Sequence, residues 1–281
     1  MGGTDAMDDG TWRLAGWRCL AIGTELASTP PRTLLLHGFT GAAADWDGLG
    51  LRRPALALDL PGHGGSRVPD DTAADCFDAG LRQLLAALPV SIDRLAGYSL
   101  GGRIALGLLR LAPQRFAAAT ILSAHPGLTD AGERAARRAA DRRWIELLRR
   151  DGIQPFVDAW ETLPLFASQA RMPPGRLAAQ RQQRLAQSAE GLARSLACHG
   201  LGAMPPAWDA LAAWPGRLHW VCGAADTRFT AIARCVAEQR PATTLTLLPG
   251  IGHNPLIEAP ARVAALIDAD VEPPPAAASR G

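Results

Sequence analysis

Six short apolar runs, each ended by turn chemistry, constrain this chain more than any other feature. They are "TLLLHGF" (33–39), "PALALDLPGHG" (54–64), "IDRLAGYS" (92–99), "AAATILSAHPG" (117–127), "RLHWVCGAAD" (217–226) and "TLTLLPGIGH" (244–253). Their near-continuous hydrophobicity suits strands covered on both faces, as in a parallel sheet. Helical patterns such as "DCFDAGLRQLLAAL" (75–88) and "GGRIALGLLRLA" (101–112) lie between them. Strand–helix alternation of this kind predicts an α/β fold with a mostly parallel central sheet and flanking helices. The early segment "TWRLAGWRCLAIG" (11–23) reads as an antiparallel hairpin at the sheet edge.

The alternation stops between 125 and 207. Helical candidates occupy 130–150, 153–160 and 174–199, broken by "LPLF" and "RMPPG". With no strand among them, 125–207 is expected to be a helical cap inserted into a core of 11–124 and 208–270. The ends, 1–10 and 271–281, offer little to bury and are expected to be disordered.

With 281 residues and 48% hydrophobic content, the chain can bury a sizeable core. Its formal net charge of +2 gives no reason to expect nucleic-acid binding. All 29 basic residues are arginine. The insertion holds twelve of them against eight acids, which leaves the remainder slightly acidic. The five cysteines (Cys19, Cys76, Cys198, Cys222, Cys235) show no metal-ligand spacing, so free thiols in a reducing compartment are the expectation. No signal peptide or apolar run long enough for a membrane span is visible, and a cytoplasmic enzyme is expected.

"GYSLG" (97–101) matches G-x-S-x-G, a sharp strand-to-helix turn that lifts a serine hydroxyl above a sheet. A serine in an ordinary tight turn is the plainer reading. The preceding apolar strand and the following helical pattern favour the nucleophile elbow, with Ser99 as the nucleophile. The other triad members occur in the order this motif requires. Asp226 follows "LHWVCG", and His253 sits in "GIGHNP" after "TLTLL". The histidine would take the serine proton, and the carboxylate would orient the ring. Asp59 in "LDLPGHG" also ends a strand, but it precedes the serine, so Asp226 is the stronger candidate.

"HGFTG" (37–41) ends the first long strand and places the Phe39 amide to form an oxyanion hole with that of Leu100. His37 is expected to orient this loop, and His63 to serve the loops structurally. His199 and His219 have no motif around them. The elbow, the ordered triad and this loop together predict the α/β-hydrolase fold.

Further motifs narrow the reading. "HGFTG", "DLPGHGGS", "GYSLGGR", "HPGL", "ERAARRAADRRW", "PLFAS" and "CGAADTRF" with "GHN" resemble the 2-succinyl-6-hydroxy-2,4-cyclohexadiene-1-carboxylate synthase family of menaquinone biosynthesis, over roughly 33–260. The resemblance implies a lyase, with no metal and no cofactor, that eliminates pyruvate from a cyclohexene tricarboxylate. The serine would abstract a proton beside a carbonyl, and the oxyanion hole would stabilise an enolate. By motif alignment the anion-binding arginines fall on Arg103, Arg137 and Arg184, with Arg181 as the fallback for Arg184. Tyr98 and Trp160 match further pocket positions.

Taken without the resemblance, arginines on a cap helix belong on a solvated face, as Arg134, Arg138, Arg142 and Arg143 are expected to be. Trp160 would pack between cap and core. Arg103, one helical turn after Ser99, is evenly poised between pocket and structure. For His125 in "HPGL", a structural turn and a pocket hydrogen bond both fit. The expected partner is a small-molecule tricarboxylate, met by a monomer. The competing function is an esterase or a C–C bond hydrolase using the same triad. A non-catalytic relative is disfavoured by the ordered triad.

Overall fold

The computed structural model describes residues 5–6, 12–23, 30–72 and 74–269. Nine strands form one sheet: β1 (Asp5–Ala6), β2 (Trp12–Leu14), β3 (Trp17–Ile22), β4 (Thr33–Leu36), β5 (Ala55–Leu58), β6 (Arg94–Tyr98), β7 (Ala118–Leu122), β8 (Arg217–Gly223) and β9 (Thr244–Leu248). Their spatial order is β1-β2-β3-β5-β4-β6-β7-β8-β9. The hairpin β2–β3 turns on Ala15 and Gly16, both at positive φ, and β3 runs antiparallel to β5. From β5 to β9 every pairing is parallel.

The apolar runs fill both faces because strand side chains alternate. In β4, Leu34 and Leu36 join a core with α1 (Cys76–Ala87) and α2 (Leu100–Leu111). Leu35 faces the opposite core with Trp46, Val263 and Ile267, the last two from α10 (Pro260–Ala269). β9 departs from the expectation of two-sided cover. It is an edge strand, and its residues Thr244 to Thr246 are exposed or half-buried. An edge has one neighbour and fewer covering elements, so an apolar run there stays partly wet.

Among the described residues no strand occurs between β7 and β8. That stretch holds α3 (Ala131–Asp151), α4 (Ile153–Glu161), a 3-10 helix (Pro164–Arg171), α5 (Pro174–Leu185), α6 (Ala189–His199) and α7 (Trp208–Ala213). The helix expected over 174–199 is two helices. Ser188 breaks it, accepting a hydrogen bond from the Gly191 amide at the start of α6. The ends of the segment are pinned together: the Ala207 amide donates to Pro126 O at 2.7 Å, and the Trp208 indole donates to Gly127 O at 2.9 Å. Its own apolar cluster includes Phe156, Leu192 and Leu196, and Phe39 of the core packs against it.

Asp5 and Ala6, within the stretch expected to be disordered, pair antiparallel with Arg13 and Trp12, because the outer edge of β2 offers free backbone groups. The rest of that expectation, and all of 271–281, lies outside the described residues. No helix among the described residues is long and apolar enough to cross a membrane.

Candidate active site

The site is built on the turn between β6 and α2. Ser99 sits there at φ 50°, ψ −105°, a strained conformation for a residue with a side chain. The flanking glycines allow it. A Cβ on Gly101 would come 2.0 Å from Leu36 O, and one on Gly97 would come 2.4 Å from Gly101 O. Helix and strands therefore touch backbone to backbone, and the serine is held above the sheet. The Ser99 amide donates to Leu122 O at 2.8 Å, which ties the turn to the neighbouring strand β7.

Two distant loops complete the line. Asp226 N-caps α8 (Thr227–Gln239), accepting from the Phe229 amide at 3.1 Å through Oδ1. Its Oδ2 lies 2.7 Å from His253 Nδ1, and His253 Nε2 lies 3.2 Å from Ser99 Oγ. With Nδ1–H donated to the carboxylate, Nε2 is the free base facing the hydroxyl. Glu258 holds the histidine loop, accepting the Gly252 amide at 2.8 Å and the Asn254 amide at 3.3 Å. Sequence reasoning missed this residue, because a glutamate five positions after a histidine carries no motif.

The Phe39 loop is fixed by two neutral histidines. His37 donates from Nδ1 to Gly38 O at 2.7 Å and accepts the Leu60 amide at Nε2. His63 accepts the Thr40 amide at Nε2 and donates from Nδ1 to Pro61 O. Burial pushes both rings below the ordinary histidine range. Asp59 is committed elsewhere: it accepts from the amides of Ala43 and Gly65 and pairs with Arg18.

Two compartments meet at Ser99. The larger, about 1050 Å³, is lined by Arg103, Arg137, Trp144, Arg171 and Arg228, among others. The smaller, about 210 Å³, is lined by Tyr98, Asp45, Arg176 and Arg184. Phe39, Ser99, Trp160, Leu165 and His253 border both. Of the three aligned arginines, Arg103 and Arg137 thus line one compartment at Ser99 and Arg184 lines the other.

Arg103 is 9% exposed and donates from Nη1 to His199 O at 2.7 Å. Burial, with Arg137 adding repulsion and Asp141 opposing it, pushes the guanidinium down to about 9. Arg137 donates from Nε to Asp141 at 2.8 Å. Arg184 is 4% exposed, bonds Glu161 at 3.0 Å, lies over the Phe166 ring at 5.0 Å and leaves its Nε without a hydrogen-bond partner among the described residues. Arg181 pairs with Asp158 and Glu161 and borders neither compartment at Ser99. Three positions along α5 therefore separate the two: Arg184 is brought to the site and Arg181 is not.

Trp160 combines both roles considered for it. It stacks on Phe156 at 5.4 Å, meets Phe39 edge-on at 5.4 Å and walls both compartments. Burial pushes the Tyr98 phenol well above its ordinary value, so it is neutral, and its ring lies 5.6 Å from that of His253.

The geometry agrees with the comparisons. The sequence profile described as "Alpha/beta hydrolase family" matches residues 33–266. The 2-succinyl-6-hydroxy-2,4-cyclohexadiene-1-carboxylate synthase of Enterobacter sp. (strain 638) is 36% identical over 244 residues, covering 84% of this chain and 90% of the relative. The synthase of the same name from Salmonella typhimurium is 34% identical over 237 residues, covering 83% and 90%. Among solved structures, MenH from S. aureus superposes with a TM-score of 0.77 at 27% identity, covering 90% of this chain and 97% of that one. An esterase from Thermogutta terrifontis, with a TM-score of 0.73 at 24% identity and 94% of each chain covered, shares the fold. Identity this high over most of both chains goes beyond a shared fold, and the chain belongs to the 2-succinyl-6-hydroxy-2,4-cyclohexadiene-1-carboxylate synthase family of α/β hydrolases.

Proposed function

We propose that the chain eliminates pyruvate from 2-succinyl-5-enolpyruvyl-6-hydroxy-3-cyclohexene-1-carboxylate to give 2-succinyl-6-hydroxy-2,4-cyclohexadiene-1-carboxylate. The observation that carries this reading is the Ser99–His253–Asp226 line at the junction of two compartments, each with a buried arginine: Arg103 in one and Arg184 in the other. Arginine–carboxylate pairing in a partly desolvated pocket is the strong geometry for a polyanion. An ester of neutral character has no use for buried guanidiniums on both sides of the nucleophile.

The reaction balances on these groups. His253 Nε2 takes the Ser99 hydroxyl proton as Oγ removes the proton from ring C2, beside the succinyl carbonyl. The charge moves onto that carbonyl oxygen, where the Phe39 and Leu100 amides stabilise it. The electron pair returns to form C2=C3, the original double bond shifts to C4=C5, and the C5–O bond breaks. The enolpyruvate leaves, takes a proton from the imidazolium and tautomerises to pyruvate. No bond from Ser99 to carbon is required. Arg103 and Arg137 bind carboxylates in the larger compartment and Arg184 in the smaller. Tyr98 and Trp160 complete the walls, and the helical segment 125–207 acts as the cap that excludes water.

Pyruvate release from the tricarboxylate, coupled to lactate dehydrogenase, tests this beside p-nitrophenyl acetate hydrolysis. Efficient ester turnover without pyruvate release overturns the proposal in favour of a hydrolase.

A further inference from the structure

The larger compartment has more positive charge than its own acids compensate. Asp141 is taken by Arg137 and Asp226 by His253, while Arg103, Arg171 and Arg228 also line the walls. Arg103 spends a donor on His199 O, and Arg171 reaches Gly250 O at 3.4 Å. Arg228 differs from these: it is exposed and forms no hydrogen bond or ion pair among the described residues. It sits in the first turn of α8, two positions after Asp226, so its backbone is rigid.

His125 lines the same compartment. The Gly127 amide donates to its Nδ1 at 2.9 Å, so the neutral ring carries its proton on Nε2. Nε2–H makes no hydrogen bond within the described residues. Burial first, then Arg228, Arg103 and Arg137, pushes the ring down to about 4. It is therefore a fixed neutral donor near pH 7, with Arg228 the foremost of its charged neighbours.

We propose that Arg228 and His125 form a second anion subsite on the wall of the larger compartment, taking a substrate carboxylate other than the one held by the buried Arg103. This rests on the polycarboxylate reading above. Arg228 supplies charge and a guanidinium fork, and His125 Nε2–H supplies direction. A carboxylate that keeps its charge throughout the reaction is bound alike in ground state and transition state, so this subsite sets KM and leaves kcat nearly alone.

The test uses Arg228→Ala, Arg228→Lys and His125→Asn in the full chain, with two readouts. In pyruvate release, Arg228→Ala raises KM roughly 10- to 100-fold, the range for one charge-assisted hydrogen bond. Its kcat stays within about twofold, Arg228→Lys recovers part of the loss, and His125→Asn gives a smaller rise. Independently of turnover, tricarballylate is titrated against tryptophan fluorescence, and the His125 imidazole is followed by NMR. Bound tricarballylate raises the His125 pKa in the parent and not in Arg228→Ala. Weakened tricarballylate binding in Arg228→Ala, with no pyruvate released by the parent, would keep the subsite and reject the lyase reading. Normal pyruvate release with unchanged KM in Arg228→Ala overturns the subsite. So does a His125 signal that ignores tricarballylate.

Discussion

The Arg103 guanidinium is held by a main-chain carbonyl, that of His199 at 2.7 Å, and has no carboxylate hydrogen-bonded to it among the described residues. A cation buried in this way is costly to the free protein, because a carbonyl dipole replaces lost hydration only in part. The same lack of compensation makes it ready for a substrate carboxylate. Helix α6 supplies the carbonyl and α2 the arginine, so this buried charge ties the helical segment to the core.

Stability and function should therefore separate at this residue. Arg103→Met keeps the length and loses the charge. We expect the free protein to gain about 1 kcal/mol, since relief of the buried charge outweighs one orphaned carbonyl. That raises Tm by about 2 °C for a chain of this size. Pyruvate release should fall at least 100-fold. Calorimetry beside the coupled assay checks both. A lower Tm would show that Arg103 is structurally compensated.

Acid should destabilise the fold through its neutral histidines. His125 and His199 are both pushed down to about 4, and His37 and His63 are also depressed, in each case chiefly by burial. Below about pH 6.5 the unfolded chain binds protons that the folded rings refuse. Stability therefore rises with pH between about 4 and 6.5 and is lost as pH falls. Each histidine contributes up to about 1.4 kcal/mol per pH unit. The buried carboxyls of Asp45 and Asp141, both raised, act in the opposite direction above their ordinary range. Urea midpoints from pH 7 to pH 5 should fall, and His199→Asn should fall less steeply. An unchanged slope in that variant contradicts the assignment for His199.

The elbow should tolerate no added methyl. Gly101→Ala places a Cβ 2.0 Å from Leu36 O and 2.6 Å from His37 O, both backbone atoms. We expect about 1–3 kcal/mol of destabilisation, with activity lost as the His37–Phe39 loop shifts. Gly48→Ala, with nothing within 4 Å of the new Cβ, is the control and should leave stability within about 0.5 kcal/mol. Equal effects at the two positions would show that α2 can slide away from the sheet.

Much of this protein is legible in order and spacing along the chain. The six apolar runs became β4 to β9, and "GYSLG" became the turn that holds Ser99. Asp226 and His253 could be named in advance because both follow strand ends on the same side of a parallel sheet, which the alternation of elements already implies. These are local signals, written in residues that are neighbours or one element apart.

Side-chain company was decided by tertiary structure. Arg181 and Arg184 share a helix, a residue type and the partner Glu161, yet Arg184 lies over Phe166 on the wall of the compartment at Ser99 while Arg181 is drawn to Asp158. Trp160, expected either to pack between cap and core or to line a pocket, became a wall shared by two compartments. His125, evenly poised between turn and pocket, belongs to both: its Nδ1 accepts the Gly127 amide, while the residue lines the cavity. Arg228 carried no signal beyond its place in "ADTRF"; only the tertiary structure puts it on the wall of the same compartment as Arg103 and His125. Chain order determines which elements form and where the sheet collects its loops. Which charges remain unpaired depends on contacts between residues up to a hundred or more positions apart, and no local pattern encodes those.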